Sequence, residues 1–489
     1  MSEGYDVDVV IVGAGISGID AAYHLQRDCP ERTFLVLDAL ESFGGTWLTH
    51  RYPGVRSDTD LYTFGYSFKP WTGDPIASGE RIREYLGEVI DDYDLARYLR
   101  YQRRVESASW SSTDNVWTLT VRDLATGDDE TYRCAFLWMC QGYYRHDQGY
   151  TPHWPGLETF HGRVVHPQQW PDDLDLTDQE VVVVGSGATA ATLVPAIAEH
   201  CAHVTMIQRS PTYFFSGENR DELADQLRAL EVDETWVHEI VRRNRLAQLK
   251  MLTDLALSEP DFAAQELINL VRAELPEGFD VDTHFTPRYR PWQQRIAYIP
   301  NGDLFKAFSS GRASVVTDEI AAITPNGVQL ASDDEVRADV LITATGFELS
   351  VLGDVHFTID GETLNLAERV TYRGMMFSDV PNLCWIFGYF RAAWTLRADL
   401  VCAYVSRLLN YMSEHDLHRV TPTLRDEDLG ETPLAWISDE EFNPSYLKRS
   451  LHLMPQRLAK PEWGHTQDYW YERDVLPTLS PNDDCLVYD

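Results

Sequence analysis

The chain runs to 489 residues, too long for one simple core, so two or three domains are expected. With 44% hydrophobic and 12% aromatic residues, it has the material of a globular protein with a large interior. Its 77 acidic against 41 basic residues, a net charge of −36, argue against nucleic acid as a partner and disfavour an anionic membrane surface.

The N-terminus shows no basic leader and no cleavage pattern, and no run of 18 apolar residues occurs, so neither a signal peptide nor a transmembrane helix is expected. Seven cysteines (29, 134, 140, 201, 384, 402 and 485) show no metal spacing and no C-x-x-C. That sparse, odd set suits a reducing, cytoplasmic setting.

Val7–Val12 is a short β-branched run that predicts a buried parallel strand. It feeds Gly13-Ala14-Gly15-Ile16-Ser17-Gly18, then a helix to about Arg27 and a strand over Thr33–Leu37. This is a βαβ unit with a glycine turn in the context that dinucleotide binding requires. Gly13 permits the turn, Gly15 lets backbone approach a pyrophosphate, and Gly18 permits close helix packing. Asp38, twenty residues past Gly18, is placed to accept a ribose 2′-OH, which suits FAD or NAD.

Val181–Val184 opens a second such unit, with Gly185, Gly187, Thr189 and Ala190 in its turn, a helix to about Glu199 and a strand near His203–Ile207. Nineteen residues past Ala190 stands Arg209, followed by Ser210. An arginine there pairs with a 2′-phosphate, or is a surface residue at a strand end. The Asp38/Arg209 contrast assigns FAD to the first unit and NADPH/NADP+ to the second.

From about Asp221 to Leu275 leucines recur at spacings of three and four, which predicts a helical insertion. Strand signals return at Ser314–Val316 and Ala338–Thr343, and two linkers stand out around Cys140–Tyr143 and Ala344–Phe347. The tail past Glu414 reads as ordered and irregular. The fold class expected is α/β: two Rossmann-like dinucleotide-binding domains, for FAD and NADP, with a helical insertion. The division is FAD over 1–145 and 346–489, NADP over 146–215 and 291–345, and the insertion over 216–290.

Between the two units lies Phe160-His161-Gly162-Arg163-Val164-Val165-His166-Pro167-Gln168-Gln169-Trp170-Pro171. Earlier comes Gly44-Gly45-Thr46-Trp47, continuing through Tyr52-Pro53-Gly54 to Asp58. These match F-x-G-x-x-x-H-x-x-x-W-P and G-G-x-W-x-x-x-x-Y-P-G-x-x-x-D, and the chain thereby resembles the type I Baeyer–Villiger monooxygenases over nearly its whole length. His166-Pro167-Gln168, Pro291-Trp292, Ile299–Phe305 and Ala393-Trp394-Thr395-Leu396 point within that family to the subgroup of mycobacterial ethionamide-activating monooxygenases.

The resemblance implies tightly held FAD, NADPH as donor, and insertion of one oxygen atom of O2 through a flavin C4a-peroxide. Ketones become esters or lactones, and sulfides become sulfoxides. It implies that Gly45, Thr46, Trp47 and Trp394 border the cofactors. It implies Arg295 as the active-site cation, with Asp58 as its carboxylate partner. From chemistry alone Arg288 and Arg290 stay open, and without the resemblance Asp58 reads first as a turn cap. His166 sits in a linker beside Pro167, which favours a hinge and NADP-positioning role over acid–base work. Gln294 stands where several family members carry a lysine for the 2′-phosphate. Two alternatives remain: an N- or S-monooxygenase without Baeyer–Villiger activity, and a non-catalytic NADPH-sensing flavoprotein. The substrate and oligomeric state stay open.

Overall fold

The computed structural model describes residues 5–489. β1 (Val7–Val12), α1 (Ile16–Asp28) and β2 (Phe34–Leu37) form the first strand–helix–strand unit. β1 pairs in parallel with β2 and, on its other side, with β3 (Asp129–Met139), so that Val9 faces both Phe34 and Phe136. Neighbours on both edges and cover on both faces explain why the run is β-branched. β3 also closes an antiparallel ladder with Arg103–Ser111 and Val116–Asp123.

β4 (Glu180–Val184), α2 (Ala188–Ile197) and β5 (His203–Gln208) repeat the unit. The helical insertion follows as α3 (Glu222–Ala229), α4 (Glu234–Ser258) and α5 (Pro260–Glu274). Asp221 and Asp233 cap α3 and α4 by accepting from Ala224 and Thr235 N–H groups, and Pro260 opens α5, where a missing N–H costs nothing. At the neck of the insertion Phe214–Gly217 and Ala297–Pro300 pair in parallel.

β6 (Val340–Thr343) enters the second sheet beside β4. That sheet is wholly parallel, ordered Ala313–Thr317, β5, β4, β6, Arg163–Val165. The chain then returns to the first sheet through His356–Ile359, parallel to Arg103–Ser111, and β7 (Leu383–Trp385), parallel to β3, and α6 (Trp394–Glu414) packs against α1. Each sheet thus draws on two separate stretches of chain.

The insertion docks on the first sheet's side through a buried charge. Arg242 of α4 donates to the carbonyls of Tyr62, Thr63 and Gly65 at 2.8, 3.2 and 3.0 Å. Those carbonyls end the short helix Leu61–Phe64 and lack helical partners of their own. Beyond α6 the tail is more regular than its composition suggests, since Val420–Pro422 pairs antiparallel with Leu486–Tyr488. Among the described residues no helix is long and apolar enough to cross a membrane.

Candidate active site

A cavity of about 1300 Å³ opens between the two sheets and is lined from both. On one side stands the turn after β1. Gly13 has φ of +107°, and a Cβ there would fall 2.6 Å from the Cys140 carbonyl oxygen, so only glycine fits where β1 and β3 end together. A Cβ on Gly15 would project no closer than 3.7 Å to any neighbour, and one on Gly187 would meet nothing within 4 Å. Side chains there would fill cradle space at the N-termini of α1 and α2, where unpaired N–H groups favour a phosphate. Gly18 lies deeper, packed on the turn itself. The cradles therefore fit two dinucleotides.

Asp38 lines the cavity at the end of β2 and accepts from the N–H groups of Ala14, at 2.5 Å, and Leu40, at 2.7 Å. Burial raises its carboxyl above the ordinary value, against the pull of those two bonds. Gly45, Thr46 and Trp47 face the same space, with the Thr46 hydroxyl 2.5 Å from that of Tyr144. Across the cavity are Gly185, Gly187, Thr189, Arg209 and Ser210. Arg209 is exposed and makes no ion pair with any described residue. Gln294 gives its Nε2 to Asn443 Oδ1 at 3.2 Å.

Between the two cradles Asp58 grips Arg295. Nε and Nη2 of the guanidinium donate to the two carboxylate oxygens, Nη2–Oδ1 being 2.8 Å. Nη2 also donates to Thr59 Oγ1 at 2.6 Å, and Nη1 to the Phe390 carbonyl at 3.3 Å. Both side chains line the cavity, Arg295 38% and Asp58 24% exposed. Burial would raise the Asp58 carboxyl, but the Arg295 charge and hydrogen bonds overcome it and hold it below the ordinary range. Burial would lower the Arg295 guanidinium, and Asp58 raises it further than burial lowers it. The helix cap in this segment is Asp60, which accepts from Thr63 N–H. Of the neighbouring arginines, Arg290 is turned to the Glu440 carbonyl, and neither it nor Arg288 lines the cavity.

Aromatic rings wall the space around Arg295. Tyr143 stacks on Trp394 at 5.3 Å, and Phe390 on Phe442 at 4.4 Å. The Trp394 indole N–H donates to Ser17 Oγ of α1 at 2.8 Å. Tyr143 and Tyr446 are pushed up by burial, with the Arg295 charge opposing. Tyr143, Tyr446, Phe390, Phe442 and Thr59 escaped sequence reasoning. Only Tyr143 carried a signal, its place beside the first linker.

His166 lies away from Arg295's ring of contacts, against the second linker at Gly346 and against Gly149. Its Nδ1 accepts from Gln168 N–H at 3.2 Å and its Nε2 donates to the Gly346 carbonyl at 3.1 Å. A Cβ on Gly149 would overlap the imidazole, 1.9 Å from Cε1. Burial lowers the imidazole below its ordinary value, against the pull of the Gly346 carbonyl. Both nitrogens are thus engaged by backbone. Nearby, Arg56 bridges to Asp303 with contacts of 2.5 and 3.1 Å, and Gly54 lies against Ala196 and Thr192 of α2.

Two glycine-opened nucleotide cradles that share one cavity define a two-dinucleotide flavoprotein of the oxidoreductase class. The pyridine nucleotide-disulphide oxidoreductase family model matches residues 7–263. The chain is 44% identical over 465 residues to the FAD-containing monooxygenase EthA of Mycobacterium tuberculosis, covering 95% of this chain and 94% of that one. It is 42% identical over 471 residues to EthA of Mycolicibacterium smegmatis, covering 96% and 94%. The chain belongs to the FAD-containing monooxygenases.

Its fold is that of OTEMO solved with FAD and NADP (TM-score 0.78, 21% identity, 100% of both chains). It is equally that of cyclohexanone monooxygenase solved with ε-caprolactone (TM-score 0.77, 20% identity, 99% of both). The resemblance drawn from the two sequence fingerprints is borne out in family and in fold. Dithiol chemistry, which the matched family's description evokes, needs a close cysteine pair at the cavity; of the seven cysteines only Cys140 lines it.

Proposed function

We propose that the protein is a Baeyer–Villiger monooxygenase that converts ketones to esters or lactones and thioethers to sulfoxides. In the ketone reaction a ketone, O2, NADPH and a proton give ester, NADP+ and water. Bound FAD supplies the oxygen activation and NADPH the electrons. FAD is assigned to 1–145 and 346–489, NADP to 146–215 and 291–345, and the insertion to 216–290.

The observation that supports this reading best is the Asp58–Arg295 pair facing the shared cavity. Oxygen insertion builds negative charge beside a carbonyl, and a preorganised cation in a dry site stabilises it. Asp58, Thr59 and Phe390 engage four of the five guanidinium N–H groups, which fixes its plane and leaves one N–H on Nη1 for the cavity. The stacked aromatics exclude water and offer an apolar wall to a ketone. Gly13, Gly15, Gly18 and Asp38 serve FAD, with Gly45, Thr46, Trp47 and Trp394 beside the flavin ring. Gly185, Gly187, Thr189 and Ser210 serve NADP, Arg209 its 2′-phosphate, and His166 holds the linkers that set the distance between the two.

The test is mass spectrometry of products from a ketone and a thioether with NADPH and isotope-labelled O2. One labelled oxygen in an ester upholds the reading. Sulfoxide without ester makes the protein an S-monooxygenase. Absence of oxygen-dependent NADPH consumption with either substrate makes it a sensor. Either of those outcomes overturns the proposal.

A further inference from the structure

α1 carries a second cluster that takes no part in the cavity. Asp20 and His24 stand one helical turn apart on α1, and Asp399 faces them from α6. None of the three lines the cavity. Asp20 is fully buried and His24 is 3% exposed. His24 Nε2 lies 2.9 Å from Asp399 Oδ1 and 3.6 Å from Asp20 Oδ1. An imidazole nitrogen carries at most one hydrogen, and Asp399 is the nearer taker. Both Asp20 oxygens are left without a hydrogen-bond partner, inside the protein and beside a second carboxylate. An unpaired buried carboxylate is among the most costly groups a core can hold.

We propose that Asp20, His24 and Asp399 hold one divalent transition-metal ion, of which zinc is the first candidate. The donor atoms all lie within 4.8 Å of one another. Around an ion bound at about 2.0–2.2 Å, donors sit roughly 2.9–3.6 Å apart, which matches the two distances from His24 Nε2. With both Asp20 oxygens free, three residues offer four donors, one nitrogen and three oxygens, a set that suits zinc or manganese. Two carboxylates and a neutral imidazole sum to −2, which a divalent ion cancels.

The outer partners fit as well. His24 Nδ1 lies 3.2 Å from Asp28 Oδ2, so its N–H can donate there and turn the Nε2 lone pair inward. Arg27 donates from Nε and Nη2 to the two Asp28 oxygens, each at 2.6 Å, which holds that acceptor in place. Ser67 Oγ donates to Asp399 Oδ2 at 2.8 Å, leaving Oδ1 for the ion. A site that draws all four donors from protein is structural, though Asp399 keeps it 26% open on one side. It cross-links the helix that bears the first glycine turn to the helix that begins at Trp394.

The holoenzyme, purified without chelators or a metal-affinity step, is assayed for zinc, manganese and iron by plasma mass spectrometry beside its FAD absorbance. Close to one ion per chain is expected. Stripped protein should regain that ion from added Zn2+ or Mn2+ and melt several degrees higher with it. Asp20→Asn should lose at least tenfold of the bound metal and the metal-dependent rise in melting, while keeping its FAD. Asp399→Asn serves as the second variant should Asp20→Asn not accumulate folded. Less than a tenth of an ion per chain in the unmutated protein, both as purified and after exposure to the two ions, overturns the site. So does a full complement of metal in both variants.

Discussion

Asp58 and Arg295 are 237 residues apart in sequence, yet two parallel hydrogen bonds join them at the mouth of both nucleotide cradles. Asp58 comes from the loop after the first strand–helix–strand unit, and Arg295 from the segment that leaves the insertion. The pair exists only where these two parts of the chain are docked. Both partners are shifted toward their charged forms, so the pair stays ionised across the neutral range.

Asp58→Ala is expected to retain FAD and to form product about 10²-fold more slowly, because the guanidinium loses its orientation. Flavin absorbance and chromatography of the ester would be read together. A full rate would leave Asp58 no role beyond the loop.

Arg295→Ala separates two halves of the reaction. Reduction of the flavin by NADPH needs stacking and distance more than this charge, and should survive. Ester formation should fall by about 10²–10³, the usual loss on removing one preorganised donor, with electrons appearing as hydrogen peroxide. Stopped-flow absorbance and a peroxide assay check this. Equal loss in both halves would place Arg295 in NADPH binding instead.

Arg209→Ala should weaken NADPH by about 1.5–3 kcal/mol, the range for a charge-assisted hydrogen bond, and leave NADH little changed. Arg209 has no acidic partner among the described residues to compete for it. Gln294 is committed to Asn443, so the preference rests mainly on Arg209. Equal KM values for the two coenzymes in the unmutated enzyme would contradict the assignment.

His166→Ala removes the bridge from Gln168 to Gly346. A hinge role predicts a raised KM for NADPH and faster peroxide leakage, with the pH profile of turnover unmoved. Loss of an ionisation from that profile would instead make His166 an acid or base.

His50, His238 and His465 are each lowered to about 4, first of all by burial. Such a histidine favours the fold only while neutral. As pH falls below about 6.5 the unfolded chain takes up the proton first, so stability is lost between about pH 6.5 and 4. Three of them steepen the loss toward about 4 kcal/mol per pH unit. Urea midpoints that stay level between pH 6.5 and 5 would refute this.

The two strand–helix–strand units could be read from sequence because everything they need is local: a β-branched run, a glycine turn and a residue about twenty positions on. The insertion was readable as helix, but not in its packing. Leu230 and Leu252 keep the periodic spacing and yet are 74% and 44% exposed, because which face is buried depends on what the helix meets. The antiparallel ladder carries a period-two signal, for Trp117–Asp123 alternates buried and half-buried residues, but its partners cannot be read from the alternation. Arg295 and Asp58 could be named only through the family fingerprint, since no local pattern joins residues so far apart. The Tyr143–Trp394 stack shows the same limit.

The parallel pairing of Phe214–Gly217 with Ala297–Pro300 puts the two ends of the helical excursion side by side. The excursion therefore leaves and re-enters at one place, and a change of length confined to its exposed far surface would not shift the register of the second sheet, whereas Ile268, Val271 and Phe285 belong to that sheet's core and must stay. Two further fixtures must be kept in any such change. One is Arg242, which locks the excursion to the carbonyls of Tyr62, Thr63 and Gly65. The other is the spacing from Arg295 to the returning strand, because every residue added there would draw the cation away from Asp58.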